Sequence, residues 1–340
     1  MIKTHLYIIA GCIVLAICSV ASAAPFAKGP YLGQTPPGST ARVFAPRLIC
    51  NSGPKWEAFG TFSADGNTFC FHRCEGIFFT ENTDQGWTAP TRIESITQCH
   101  WAPCLSPDAK SVFFAIGDRH PRVEHYDLYR CNRTSNGWAK PERLEPPLSS
   151  TSNEITCSLA ANNNIYLSSG RQGGDERSWI WVAPFVGGTW PGADHIALNL
   201  RQPLKKDGPV SGGKSTPVDH TWPRAVHTSL NHQASDPGIA PDESFMVFTA
   251  KDLPGGYGHR DLYLTLRLPD GTWSKPRNLG PRINTTFIEH GPRISPDKKY
   301  LFFNRSNGWD PGIHAADIYW VALKEYLPES HRKAEGTSSK

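Results

Sequence analysis

Short apolar runs set off by polar turns recur along the chain, and the turns share a pattern. Leu105-Ser106-Pro107-Asp108 is echoed by Phe62-Ser63-Ala64-Asp65, Leu159-Ala160-Ala161-Asn162, Ile239-Ala240-Pro241-Asp242 and Ile294-Ser295-Pro296-Asp297. Each reads as the end of one strand entering a tight turn. A β-branched and aromatic run follows every turn, as a second strand requires: Thr68 to Phe71, Ser111 to Phe114, Ile165 to Leu167, Phe245 to Phe248 and Tyr300 to Phe303. A third strand is expected around Ile77-Phe78-Phe79, Asp127-Leu128-Tyr129, Trp179-Ile180-Trp181, Asp261-Leu262-Tyr263 and Asp317-Ile318-Tyr319. A fourth opens on Gly and Trp and ends near Pro, at residues 86–90, 137–141, 188–191 and 271–276.

Four strands per unit, repeated, predict a β-propeller. The first three strands occur five times and the fourth only four times. Val43-Phe44-Ala45-Pro46-Arg47-Leu48 has the shape of the missing copy, with Phe in place of Trp. The expected fold is therefore all-β: a five-bladed propeller of four-stranded antiparallel blades, closed by an N-terminal strand that removes the open edges. The turns fall at 63, 106, 160, 240 and 295. The long third step leaves too little extra chain for another blade of about 40 residues, so residues 200–231 read as an insertion loop, with six blades as the alternative. The propeller spans 42–325, after an N-terminal extension at 24–41 and before a polar tail at 326–340.

These repeats resemble the PD40 family, the WD40-like propeller repeats also found in TolB-type periplasmic proteins. The resemblance covers Arg42 to about Leu323. The second, fourth and fifth copies match well, whereas the first has Ala64 for Pro and the third, with Asn162-Asn163 and Trp190-Pro191, is degenerate. It implies a rigid exported scaffold for protein or small-ligand binding, and it licenses no catalytic claim.

Composition agrees. With 19% charged residues, 11 Trp, 30 Gly and 29 Pro in 340 residues, a solvated helical bundle and a disordered chain are both excluded. A net charge of +4 leaves no electrostatic footprint for nucleic acid, and a monomer is expected. Residues 1–23 read as a cleaved secretory signal: one Lys, an apolar run from Leu6 to Val20, then Ala21-Ser22-Ala23. No transmembrane segment is expected, and lipid attachment at Cys12 within Ile9-Ala10-Gly11-Cys12 is the minor alternative to cleavage. Export predicts a periplasmic or extracellular location. Cys50, Cys70, Cys74, Cys99, Cys104, Cys131 and Cys157 would then form up to three disulfides. A thiolate metal site at Cys99, His100 and Cys104 is the weaker alternative, because its spacing is not a standard zinc pattern.

Aligning the copies on the turn and stepping back six positions gives Glu57, His100, Glu154, Ala234 and Glu289; adjacent positions add Trp101, Asp236 and His290. These residues are the candidate ligand site at the channel mouth. Three carboxylates and an imidazole brought together would suit acid/base chemistry or a cation: a hard one such as Ca2+ on the glutamates, a softer one recruiting His100 or His290. The structural alternative is that the glutamates accept hydrogen bonds from backbone N–H groups of the neighbouring blade and hold the ring together. Trp101 and Trp56 could likewise stack a ligand or pack between blades. Asp127, Asp261 and Asp317, which recur at one strand position, read as structural. No nucleophile or phosphate-loop motif is present. The expected function is non-catalytic binding of a protein, peptide or glycan, with a glycoside-active enzyme using the channel carboxylates as the alternative.

Overall fold

The computed structural model describes residues 26–50, 56–97, 100–117, 125–171, 179–196, 233–251, 253, 255–307 and 316–329. The signal segment, the 200–231 insertion, Cys99 and the end of the C-terminal tail lie outside them. The described residues form strands and turns, with two short 3-10 segments and no α-helix, and no helix among them is long and apolar enough to cross a membrane.

Strand β1 (Arg42–Val43) precedes five successive groups of antiparallel strands, here called units, the last two joined into one sheet by a parallel bridge between Arg260 and Ile288. The first holds β2 (Glu57–Phe62), β3 (Thr68–Arg73), β4 (Gly76–Thr83), β5 (Gly86–Trp87) and β6 (Thr91–Arg92). The second holds β7 (His100–Leu105), β8 (Ser111–Gly117), β9 (Tyr126–Thr134), β10 (Gly137–Trp138) and β11 (Glu142–Arg143). The third comprises β12 (Glu154–Leu159), β13 (Ile165–Ser169), β14 (Trp179–Ala183) and β15 (Asp194–His195). In the fourth are β16 (Gln233–Ile239), β17 (Phe245–Lys251), β18 (Arg260–Leu266) and β19 (Arg277–Asn278), and in the fifth β20 (Ile288–Ile294), β21 (Tyr300–Ser306) and β22 (Ala316–Ala322). β1 pairs antiparallel with β22, Arg42 opposite Trp320 and Val43 opposite Tyr319, so the N-terminal strand supplies the outer partner of the last unit.

The fourth strand differs from the expectation of one continuous run. The Gly-Trp pairs at β5 and β10 extend the far ends of β4 and β9 as tight hairpins. The chain then passes Pro90 or Pro141 and returns as β6 or β11 to pair with the middle of the same strand. Proline has no N–H to offer the ladder, so each break falls there. In the fourth unit Trp273 makes a single bridge to Arg267, and β19 starts directly after Pro276.

The Ser-Pro-Asp turns are built alike. In three of them the small residue is Ser, whose hydroxyl bonds the Asp two places on, at 2.5 Å for Ser63–Asp65, 2.7 Å for Ser106–Asp108 and 2.7 Å for Ser295–Asp297. The same Asp accepts the N–H two residues further along. The residue after the Asp or Asn is left-handed in all five copies: Gly66 (φ 72°), Ala109 (57°), Asn163 (67°), Glu243 (58°) and Lys298 (59°). Only in the first copy is it glycine, the residue that adopts this conformation without strain.

Five apolar clusters lie between successive units. Phe69 and Phe71 of the first unit meet Phe302, Ile318 and Trp320 of the last. Cys70 and Ile77 meet Val112 and Phe114, Phe113 and Leu128 meet Leu167 and Trp181, Tyr166 and Ile180 meet Met246 and Phe248, and Val247 and Leu264 meet Leu301 and Phe303. The first strands touch in a cycle: β2 against β7, β7 against β12, β12 against β16, β16 against β20, and β20 against β2. Tyr326 and Leu327, read from the sequence as the start of the tail, are buried in the cluster between the fourth and fifth units.

Candidate functional site

Each first strand carries a register shift at the same place, between Ala58 and Thr61, Trp101 and Cys104, Glu154 and Cys157, Ser235 and Gly238, and His290 and Arg293. Such bulges bend a strand and re-aim its side chains. Four of them place a residue in the left-handed region: Phe59 (φ 56°), Ala102 (49°), Asp236 (49°) and Gly291 (60°). Two of the freed N–H groups are taken up by the neighbouring unit, Phe59 donating to Asn304 Oδ1 and Asp236 to Ser168 Oγ, both at 2.8 Å. The bulges thus divide the axial region into an end that starts at Glu57 and an end that closes at the Ser-Pro-Asp turns.

At the first end Glu57, Glu154 and Glu289 are each 0% exposed. Glu154 accepts from Ser150 N–H (2.8 Å), Ser150 Oγ (2.6 Å) and Ser169 Oγ (2.6 Å), and Arg171 Nη2 lies 3.3 Å away. Glu289 repeats the pattern, accepting from Thr285 N–H (3.0 Å), Thr285 Oγ1 (2.6 Å) and Arg305 Nε (2.8 Å). Glu57 has Arg73 Nε at 3.4 Å. The three arginines also donate to carbonyls of the loop leading into the unit: Arg73 to Ile49, Arg171 to Pro147 and Leu148, Arg305 to Ile283. Glu154 and Glu289, each with its arginine, therefore clamp their own entry loops, where the sequence reading has the glutamates bonding backbone N–H groups of the neighbouring unit. Arg73 ends β3, Arg305 stands one place before the end of β21, and Arg171 lies two places past the end of β13.

The structure does not assemble these carboxylates into a cation site. Each faces its own arginine, and no group of three or more His, Cys, Asp or Glu that could hold a metal occurs among the described residues. This corrects the picture of converging carboxylates behind the Ca2+ expectation. Asp127 pairs with Arg143 at 2.7 Å, Asp261 accepts from Tyr257 N–H, Gly258 N–H and Asn278 Nδ2, and burial raises the Asp317 carboxyl above its usual range.

Further in, Trp56, Phe59, Trp101, His72 and His290 form an aromatic cluster. Trp56 and Trp101 meet edge to face at 5.7 Å, Phe59 and His290 at 5.5 Å, and His72 lies 5.7 Å from Trp101. Trp56 is buried and Trp101 half-buried. His290 is 1% exposed, and burial pushes its imidazole down to about 4, with Arg260 adding to the effect and Asp236 opposing it. Asp236 is itself buried. For His100 the structure gives the strand start only.

At the turn end lies a partly open recess of about 60 Å3, lined by residues of all five units. Its lining includes Phe62, Leu105, Leu159, Ile239 and Ile294, the residue before the turn in each copy. One position before these stand Thr61, Cys104, Ser158, Gly238 and Arg293. Arg293 was not singled out from the sequence, although the same alignment shows it as the one large residue in a ring of small ones. Cys104 and Cys157 sit on the neighbouring strands β7 and β12. A hydrogen bond with Cys157 draws the Cys104 thiol down against the effect of burial, and the nearby Arg293 charge acts in the same direction. The six described cysteines are free thiols, in place of the disulfides expected from the sequence.

No family model and no curated protein matches the chain. Among solved structures it is similar to a TolB protein from Agrobacterium tumefaciens, with 13% identity over 79% of this chain and 91% of that one and a TM-score of 0.35. A thermostable family-43 glycoside hydrolase is similar at 13% identity, over 78% and 89% of the two chains, with a TM-score of 0.41. An arabinanase of Bacillus subtilis is similar at 12% identity, over 80% and 96%, with a TM-score of 0.44.

Proposed function

We propose that this chain is an exported, non-catalytic scaffold: a propeller of five four-stranded blades of PD40-type repeats, closed by β1 on β22, that binds a protein, peptide or glycan at its channel mouth. The observation that carries this reading is the bonding of the glutamates. A glycosidase needs two carboxyl groups open to a sugar, whereas Glu154 and Glu289 are wholly buried and each is occupied by a backbone N–H, hydroxyls and an arginine. Half-buried Trp101 is the residue this reading assigns to stacking a ligand ring.

The test combines hydrolysis and binding. Purified protein is incubated with a panel of polysaccharides and short peptides, followed by reducing-end release and by thermal shift, since a bound ligand stabilises by mass action. The expected result is no release, a Tm rise with at least one panel member, loss of that rise in Trp101→Ala, and a lower Tm in Glu154→Gln. Sugar release that Glu154→Gln or Glu289→Gln abolishes at unchanged Tm would overturn the reading.

A further inference from the structure

Arg293 is a buried cation on the lining of the recess at the turn end. Its side chain is 3% exposed, yet no carboxylate among the described residues pairs with it. Nη1 donates to the carbonyls of Pro292 (2.9 Å) and Pro237 (3.5 Å). Nε and Nη2, the two nitrogens on one side of the fork, have no hydrogen-bond partner among the described residues. One face of the guanidinium sits 5.8 Å from the ring centroid of Phe59, and the residue lines the recess at the turn end. A buried guanidinium without a counter-charge is strongly unfavourable. By contrast, the arginines of the entry loops, Arg171 and Arg305, each have a glutamate within 3.3 Å.

We propose that the recess is a binding site for a carboxylate carrying a small apolar group, either a free organic acid or the C-terminal carboxylate of a peptide. The unpaired Nε and Nη2 present the parallel pair of donors that a carboxylate accepts bidentately. Thr61 and Ser158 add hydroxyls on the lining, while Leu105, Leu159 and Ile239 give apolar walls for the rest of the ligand. The other four ring positions hold the smaller residues Thr61, Cys104, Ser158 and Gly238. This site lies at the opposite end of the first strands from Glu57 and Trp101. It rests on the reading of the chain as a binding scaffold, but its failure is distinguishable: ligands lost in Trp101→Ala and kept in Arg293→Met would leave that reading standing.

The experiment titrates full-length mature protein with hexanoate, hexanamide, inorganic phosphate, and a leucine-ended peptide with a free or amidated C-terminus, followed by calorimetry and thermal shift. Wild type is expected to bind hexanoate or the free peptide and to ignore both amides; which of the two binds more tightly identifies the source of the carboxylate. Arg293→Met, which keeps the length and removes the buried charge, is expected to fold with an equal or higher Tm and to bind roughly tenfold to a hundredfold more weakly. Arg293→Lys retains part of the affinity. Binding that survives Arg293→Met, phosphate bound in preference to hexanoate, or no binding of any carboxylate by wild type would each overturn the proposal. So would strong thiolate absorbance at neutral pH that vanishes in Cys104→Ala, because Cys104 would then be the counter-charge.

Discussion

At the scale of single residues, the molecule is governed by buried charges and strained turns. Acidification from pH 6.5 to about 4 is expected to destabilise the fold through His290, whose imidazole is held at about 4 by burial. Over that interval the unfolded chain takes up a proton that the folded chain refuses, so stability rises with pH and is complete above 6.5. The loss approaches roughly 3 kcal/mol at the low end. Urea unfolding across this range checks it: His290→Asn should show a shallower acid loss than wild type. Ala109 pays the strain of a left-handed turn without being glycine. Ala109→Gly is therefore expected to raise stability by about 0.5–1 kcal/mol, the relief of a left-handed Cβ less the added chain entropy, read as a higher Tm. Glu154→Gln should lose about 1.5–3 kcal/mol, as expected for hydrogen bonds to a charged group, and a double-mutant cycle with Arg171→Met should show coupling. The Glu ring was legible in the sequence because it repeats at a fixed distance from the turn. Its role was not, because charge partners such as Arg73 and Arg305 reach it across strand pairings that a linear reading does not show.

Elements follow from the turns. The Ser-Pro-Asp signature and the aromatic run behind it located the first three strands of every unit, since side-chain alternation and turn chemistry are local properties. The fourth strand was misread as continuous because proline interrupts its ladder, and pairing across that break depends on β4 and β9 rather than on local sequence. The N-terminal extension was also underestimated. Phe26 N–H bonds Trp87 O at 2.7 Å, Trp87 Nε1 bonds Gly29 O at 2.7 Å, and Tyr31 packs edge to face on Phe62 at 5.3 Å and on Tyr300 at 5.0 Å. Nothing in residues 26–33 repeats elsewhere in the chain, so its place is set by tertiary contact alone. Trp273 is a buried anchor of the fourth unit, against Tyr166 of the third. Trp273→Ala is expected to lower stability by about 3–5 kcal/mol through the void it leaves, measured by denaturant unfolding; a change near zero would show that the side chain does not fill that joint.

For the whole molecule, the first strands touch in a cycle and apolar clusters fill the joints between successive units among the described residues. The proposed export carries one expectation. Protein recovered from the secreting host should begin at Ala24, checked by N-terminal sequencing. The proposed closure rests on β1, a two-residue strand followed by Phe44, which is fully buried among Phe69, Phe302 and Trp320 with its N–H donating to Ile318 O at 2.7 Å. The most direct test of the account is hydrogen exchange at that amide. If the N-terminal strand completes the fifth unit, the Phe44 amide exchanges only with global unfolding, at the rate of the Phe302 and Phe71 amides in the core. Exchange of Phe44 at the rate of an open loop, while β21 remains protected, would contradict the closed ring.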